Sequence, residues 1–167
     1  MVLAKLTPYR KKQILLYNNQ STNDIIKTLL NAHVIYKSDY DKIGNMFWTG
    51  NTKTTCRNIF KFLKKNVPYK IEPDSKQTVK SPSAILSMPG DCKHYSQFIG
   101  GVLSSICRKG KKINWCYRFA NYKLFGDIPH HVFCVVKDSD GNEIWIDPVL
   151  HSFDYKKPYI NKIDKKI

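Results

Sequence analysis

The sequence contains no long apolar run and few acidic residues. Its longest apolar segment, residues 98–106, is interrupted by two glycines and two serines, so it falls short of the ~20 residues that span a bilayer. Residues 1–12 carry four cations and lack the apolar stretch of ~7–15 residues that a cleaved secretion signal uses. We therefore expect no membrane association, no export by a cleaved signal, and a cytoplasmic location.

Cysteine occurs five times, an odd number without a repeated spacing. A secreted disulfide framework normally uses an even set, so we expect reduced thiols. The composition, 42% apolar and 25% charged, is ordinary for a globular domain and excludes a disordered or fibrous chain. At this length a chain can bury a sizeable core without disulfide or metal staples.

Basic residues are in large excess. The chain has 28 Lys and Arg against 13 Asp and Glu, and residues 1–70 alone hold 13 of these cations and 3 of the anions. A net charge of +15 favours an anionic partner. No glycine-rich phosphate loop, zinc finger or RNP-like aromatic run is present to read bases, so nucleic acid ranks as a secondary partner.

Hydrophobic periodicity predicts helices first and an antiparallel sheet afterwards. The predicted helices cover residues 22–32, 54–67 and 92–109, and the predicted strands cover residues 113–119, 131–137 and 142–147. Residues 73–89, with three prolines, are predicted to be a connecting loop. The Lys-rich tail from residue 155 onward is expected on the surface or docked onto a partner.

Cys92 opens the last of these helices, directly after Gly90 and Asp91. The unpaired N–H groups and the positive dipole end of a helix N-terminus stabilise a thiolate, which is the form a nucleophile needs. The alternative is a small apolar residue at a helix start.

His131 and Asp147 lie on the two strands of a predicted hairpin. A five-residue loop over residues 137–141 sets a register in which they are directly opposed, and a four-residue loop shifts this register by one position. An Asp opposite a His can fix the imidazole tautomer and turn its other nitrogen toward a thiol, as in a Cys/His/Asp triad. His130 would face the other side of the strand.

These residues stand in short motifs that resemble the transglutaminase-like branch of the papain-like cysteine enzymes. The motifs are Gly90-Asp91-Cys92 before an apolar helix, His131-Val132-Phe133, Trp145-Ile146-Asp147-Pro148, and the helix end Val67-Pro68-Tyr69. The resemblance runs from about Thr54 to Phe153. The segment from Gln77 to Pro82 and the sequence after Pro148 look most like small single-domain members from tailed phages and prophages.

The resemblance implies an α+β, papain-like/transglutaminase-like fold, in which N-terminal helices and a nucleophile at a helix N-terminus pack on an antiparallel sheet. It implies that Cys92 is the nucleophile, His131 the general base and then acid, and Asp147 the orienting carboxylate, with no metal or organic cofactor. An oxyanion hole would combine the Cys92 N–H with a side-chain donor, for which Gln77 is the first candidate and Trp48 the second. The expected organisation is a basic helical extension (1–53), the core (54–153) and a Lys-rich tail (154–167) in one compact domain.

The expected activity is acyl transfer or amide hydrolysis on a protein or peptide substrate, an acidic one given the net charge. Hydrolysis is favoured over cross-linking because the sequence has no acidic cluster of the kind that binds calcium. The alternative is a phage virion or prophage structural protein, located in the host cytoplasm or the virion, which uses the fold to dock onto phage structural subunits or nucleic acid.

Other histidines and cysteines have simpler interpretations. Cys92 and His94 with His130 or His131 do not have a usual zinc spacing. His94 is expected at the surface or on the substrate side of the helix. Structural or core positions are expected for His33, His151, Cys107, Cys116, Cys134, Trp115 and Trp145, and a loop anchor for Trp48.

Overall fold

The computed structural model describes residues 2–7, 14–16, 22–73, 76–122 and 129–167, which form an α+β fold. Its helices are α1 (Thr22–Ile35), α2 (Lys37–Phe47), α3 (Thr52–Asn66), α4 (Pro82–Ser87) and α5 (Cys92–Arg108). Its strands are β1 (Ile14–Leu16), β2 (Gln77–Val79), β3 (Asn114–Asn121), β4 (His131–Lys137), β5 (Glu143–Ile146) and β6 (Asn161–Lys166). None of the helices in these ranges is long and apolar enough to cross a membrane.

The main sheet has four antiparallel strands in the order β5-β4-β3-β6. One face packs against α5, with inward side chains that alternate along the strands as period two requires. These include Tyr117 and Phe119 from β3 and Val132, Cys134 and Val136 from β4. The predicted order of helices followed by a sheet is therefore confirmed.

Helix α5 is the centre of the fold, because thirteen of its seventeen residues are buried. Two adjacent glycines allow its neighbours to approach closely. A Cβ atom on Gly101 would lie 2.3 Å from the Tyr40 ring of α2, and one on Gly100 would lie 2.3 Å from the Tyr117 hydroxyl of β3. Gly100 and Gly101, which interrupt the apolar segment 98–106, are thus positions where the sheet and α2 approach the helix closely.

The hairpin between β4 and β5 has a register two residues away from the predicted one. Lys137 pairs with Glu143, so the connecting loop is 138–142 rather than 137–141. The Asp138 carboxylate accepts the N–H groups of Asp140 and Asn142, and Gly141 takes a φ of 84°. Both loops have five residues. The turn centred on Asp138 places the observed loop one residue later in the sequence, and this changes the register. Because the shift is even, His131 and Asp147 keep to the same face of the sheet.

The C-terminal tail lies mostly exposed on the surface, as the sequence suggested, and it also contributes the edge strand β6, which the sequence analysis did not predict. Arg118 of β3, 1% exposed as a side chain, pairs through its guanidinium with Asp164 of β6 and Glu143 of β5. The Trp145 and Tyr159 rings lie 5.4 and 5.8 Å from that guanidinium. A buried arginine held between two carboxylates and two rings joins the tail to the sheet.

Two further segments differ from expectation. The predicted loop over residues 73–89 contains β2 and α4; the Ser81 hydroxyl caps α4 by accepting the Ala84 N–H, and Pro82 occupies its first turn. Helix α1 reaches Ile35, and α2, which the sequence analysis did not predict, follows it directly. Ser21, which the sequence places directly before α1 as a capping residue, lies outside the described residues.

Candidate active site

Asp147 and His131 are in direct contact. His131 Nε2 donates to Asp147 Oδ2 at 2.7 Å, and the carboxylate is 3% exposed. The other carboxylate oxygen accepts the Val149 N–H at 3.1 Å, because the chain turns immediately after β5. The start of β4 therefore supplies the imidazole. The end of β5 supplies a carboxylate that a backbone N–H already holds in place.

Cys92 lies close enough to His131 for its side chain to raise the pKa of the imidazole. Since Nε2 is committed to Asp147, Nδ1 is the nitrogen that remains for the thiol. Burial alone would lower the pKa of His131, but the hydrogen bond with Asp147, the nearby Cys92 side chain and the charges of both groups raise it to about 9. The structure thus brings together the three residues that the sequence singled out, with an imidazole that favours its charged form.

The helix N-terminus beneath Cys92 is capped by Asp91. Its side chain accepts the N–H groups of Lys93 and His94, and the His94 side chain in turn accepts the Asp91 N–H. This reciprocal capping box secures the first turn of α5. Among the described residues none accepts the N–H of Cys92, as is usual for the first N–H groups of a helix, so this donor is left without a partner in the protein.

His94 corrects an expectation. Its side chain is wholly buried rather than at the surface or on the substrate side, because it closes the capping box with Nδ1 and reaches Thr78 Oγ1 with Nε2 at 3.3 Å. Burial, outweighing the attraction of Asp91, lowers its pKa, so the imidazole stays neutral at neutral pH. Its role is to shape the start of the helix.

A compact charge network surrounds this cap. The Lys93 ammonium contacts Asp91 at 2.5 Å and Glu72 at 2.8 Å, and Lys80 contacts Glu72 at 3.0 Å. Burial works against the charged form of Glu72, but bonds from Lys93 and Thr78 lower its pKa to about 2. Two carboxylates therefore face two ammonium groups close to the nucleophile.

The residues of this network also include a group of potential metal ligands. Ligand atoms of Glu72, Asp91 and His94 lie within 4.8 Å of one another. Both carboxylates are already compensated by Lys80 and Lys93, and His94 Nδ1 accepts a backbone N–H. The donor set is occupied within the protein, and it fits a structural ion-pair network better than a divalent cation site.

The two predicted oxyanion donors lie in contrasting places. The Gln77 side-chain amide donates to the carbonyls of Glu72 and Pro73, both at 3.1 Å, so its N–H groups serve the loop before β2. The Lys111 ammonium, just beyond the C-terminal end of α5, stands over the Trp48 ring at 6.0 Å. Cys92 begins the other end of this 17-residue helix, which is about 25 Å long, so Trp48 lies near the opposite end from the nucleophile. Trp48 is therefore wrong as a donor; Gln77 stays a prediction.

Tyr69 is a site residue that sequence reasoning did not single out. Its backbone forms a bridge with Gly90, two residues before the nucleophile, and its side chain is 44% exposed. Partial burial and the nearby charges of Cys92, Asp91 and Asp147 raise its pKa to about 12, so it remains an O–H donor. The motif Val67-Pro68-Tyr69 was the feature of the sequence that could have identified Tyr69 as a site residue.

Comparison with known proteins adds no assignment. Neither a scan of protein-family models, nor a search of curated proteins, nor a search of solved structures found a match for this chain. The resemblance to transglutaminase-like enzymes therefore remains a prediction that rests on the motifs and on the geometry described above.

Proposed function

We propose that the protein is a cysteine-nucleophile hydrolase of amides, a peptidase or amidase of the transglutaminase-like type. The observation that carries the proposal is the hydrogen bond between His131 and Asp147, together with the proximity of Cys92 to the same imidazole. Additional support comes from the architecture. Helix α5 begins at Cys92 and packs on an antiparallel sheet, in which β4 starts at His131 and β5 ends directly before Asp147.

In the first half-reaction, the Cys92 sulfur, whose proton is already held on His131 Nδ1, attacks the carbonyl carbon of the substrate amide. A C–S bond forms, and the carbonyl π electrons move onto oxygen. Collapse of this tetrahedral intermediate breaks the C–N bond, and the leaving amine takes the proton from His131. The product is a Cys92 thioester and a free amine.

In the second half-reaction, His131 takes a proton from water as its oxygen attacks the thioester carbonyl. Collapse of the second intermediate breaks the C–S bond, releases the carboxylic acid and leaves the sulfur beside the protonated His131, which restores the starting state. Asp147 holds the imidazole tautomer and stabilises the imidazolium formed in each half. The reaction needs no metal or organic cofactor.

The developing oxyanion needs donors, and two candidates lie near the sulfur. The Cys92 backbone N–H is the first, since no described acceptor uses it. The Tyr69 hydroxyl is a second donor that we add, because it stays protonated and belongs to a residue whose backbone bridges to Gly90, two residues before Cys92. A net charge of +15 favours acidic protein or peptide substrates.

The deciding experiment is the rate of native-state alkylation of Cys92 by iodoacetamide as a function of pH, with peptide mass mapping. Cys107 and Cys116, also partly buried, serve as internal controls in the same digest. We expect Cys92 to react fast well below pH 8.5, the ordinary range for thiol ionisation, and to lose this advantage in His131→Ala. A Cys92 that reacts no faster than the control cysteines, or that ignores His131→Ala, would refute the catalytic proposal and favour the binding-module alternative.

A substrate screen follows if the thiol is activated. Acidic and neutral fluorogenic peptide amides would be tested with the unmodified protein, with Cys92→Ala, and with the matched control Cys116→Ala. We expect turnover that Cys92→Ala abolishes and Cys116→Ala retains. Turnover that survives in Cys92→Ala would assign the activity to another group or a contaminant.

A further inference from the structure

Helix α3 presents an exposed face made of cations. Five of its residues are Lys or Arg, none is Asp or Glu, and all five are exposed. We call this surface the α3 basic face, and it consists of Lys53, Arg57, Lys61, Lys64 and Lys65. It supplies a third of the net charge of +15 from a single helix.

Interactions within the protein account for only part of this charge. Lys53 lies 3.9 Å from Asp154, and Arg57 stands over the Phe153 ring at 5.3 Å. Lys61, Lys64 and Lys65 have no carboxylate partner within 4.0 Å among the described residues. The face is thus left with uncompensated charge at its C-terminal half.

The spacing of these cations works against the helix. Residues 53, 57, 61 and 65 succeed one another at intervals of four, which places like charges side by side along one face. The helix dipole favours the lysines of the last turn but opposes Lys53 in the first turn. Since helix stability does not explain the pattern, a partner outside the molecule is the better explanation.

The chemistry of the face identifies the partner class. Besides the five cations, its exposed residues are polar, namely Thr54, Asn58 and Asn66. Protein interfaces are centred on apolar or aromatic anchors, and the aromatic side chains of α3 instead pack inward, with Phe60 against Phe153 and Phe62 against Phe98. A surface of charge and small polar groups without an anchor suits a phosphate backbone.

We propose that the α3 basic face binds the phosphate backbone of duplex DNA without reading its sequence. From residue 53 to residue 65 the helix rises about 18 Å, a length over which duplex DNA carries about ten phosphate charges. Each cation can therefore meet a phosphate as the helix lies along the backbone. The proposal uses none of Cys92, His131 or Asp147, so it is independent of the proposed hydrolase activity.

The test is fluorescence anisotropy of a labelled, mixed-sequence 20-base-pair duplex over a range of salt concentrations. The test variant is Arg57→Gln/Lys61→Gln/Lys65→Gln. The matched control, Lys162→Gln/Lys165→Gln/Lys166→Gln, removes the same charge from β6 at the opposite edge of the sheet from β5, which α3 contacts. A charge-retaining variant, Arg57→Lys/Lys61→Arg/Lys65→Arg, separates charge from side-chain identity.

We expect the α3 variant to weaken binding and to reduce the slope of log K against log salt by about 2.7, or ~0.9 for each phosphate that the variant no longer neutralises. The β6 control should change the slope by less than about 0.9, and the charge-retaining variant should bind like the unmodified protein. Equal changes in the α3 and β6 variants would mean that net charge alone drives binding and would overturn the proposal. So would no binding at low salt, or displacement of the duplex by poly-glutamate as effectively as by unlabelled DNA.

Discussion

The coupling between Asp147 and His131 leads to a prediction about the pH dependence of stability. The pKa of His131 is raised from 6.5 to about 9 although burial opposes it. A raised histidine pKa stabilises the folded state fully below the unfolded pKa, and this contribution is lost as pH rises through the folded pKa. At about 1.4 kcal/mol per pKa unit, roughly 3 kcal/mol should disappear between pH 6 and pH 10.

The perturbation that tests this is Asp147→Asn, which keeps the side-chain shape but removes the negative charge. We expect the variant to be less stable than the unmodified protein at pH 6, by up to about 3 kcal/mol. The difference should shrink toward pH 10, where the imidazole is neutral in both proteins. Comparing the two proteins at each pH cancels the tyrosines, lysines and cysteines that also titrate in this range.

The assay is urea unfolding at pH 6, 8 and 10, supported by NMR titration of the His131 ring. The ring should titrate near pH 9 in the unmodified protein and closer to 6.5 in Asp147→Asn. His151→Ala, at an exposed histidine, is the control and should leave the pH dependence unchanged. A stability difference that is the same at pH 6 and pH 10 would refute the reasoning, because it would show that Asp147 acts by packing or capping and not through its charge.

Three other substitutions test how the site is supported. Lys93→Met leaves the buried Asp91 and the partly exposed Glu72 without their shared ammonium and should cost about 3–5 kcal/mol in urea unfolding. A cost under about 1 kcal/mol would contradict this account of the network. Gly101→Ala should cost about 1–3 kcal/mol because its methyl group meets the Tyr40 ring, whereas the exposed Ser139→Ala should be neutral. Arg118→Leu should speed hydrogen exchange of the β6 amides while those of α5 stay protected; unchanged β6 protection would show that backbone pairing alone holds the tail.

Local patterns allowed the sequence to predict much of the framework. Apolar spacing of three and four located α3 and α5, and alternation located β3, because each of these elements shows its buried face within its own residues. Strand β4 was located by its run of apolar residues, which is buried on both faces. The cap at Asp91 and the position of Cys92 at a helix start were also readable locally. The three residues proposed for catalysis followed from these placements together with the family resemblance.

Tertiary structure decided the features that depend on distant partners. The pairing of β6 with β3 joins residues about 45 positions apart. The Lys-rich sequence of the tail has no hydrophobic periodicity from which this strand could have been predicted. His94 looked like a surface residue because its burial comes from Thr78 and the segment around Glu72, which fold over the helix start. The hairpin register depended on one Asp-centred turn.

The proximity of Cys92 and His131 shows most clearly which features the sequence determined and which the tertiary structure decided. Sequence determined which chemical groups exist and which element ends carry them, because helix starts and strand starts are set by neighbouring residues. Only the packing of α5 on the sheet decided that these ends meet, since interactions such as Ser96 Oγ to the Val132 carbonyl at 2.9 Å join residues 36 positions apart. Such long-range interactions are selected by the fit of the whole core, and no local pattern encodes them.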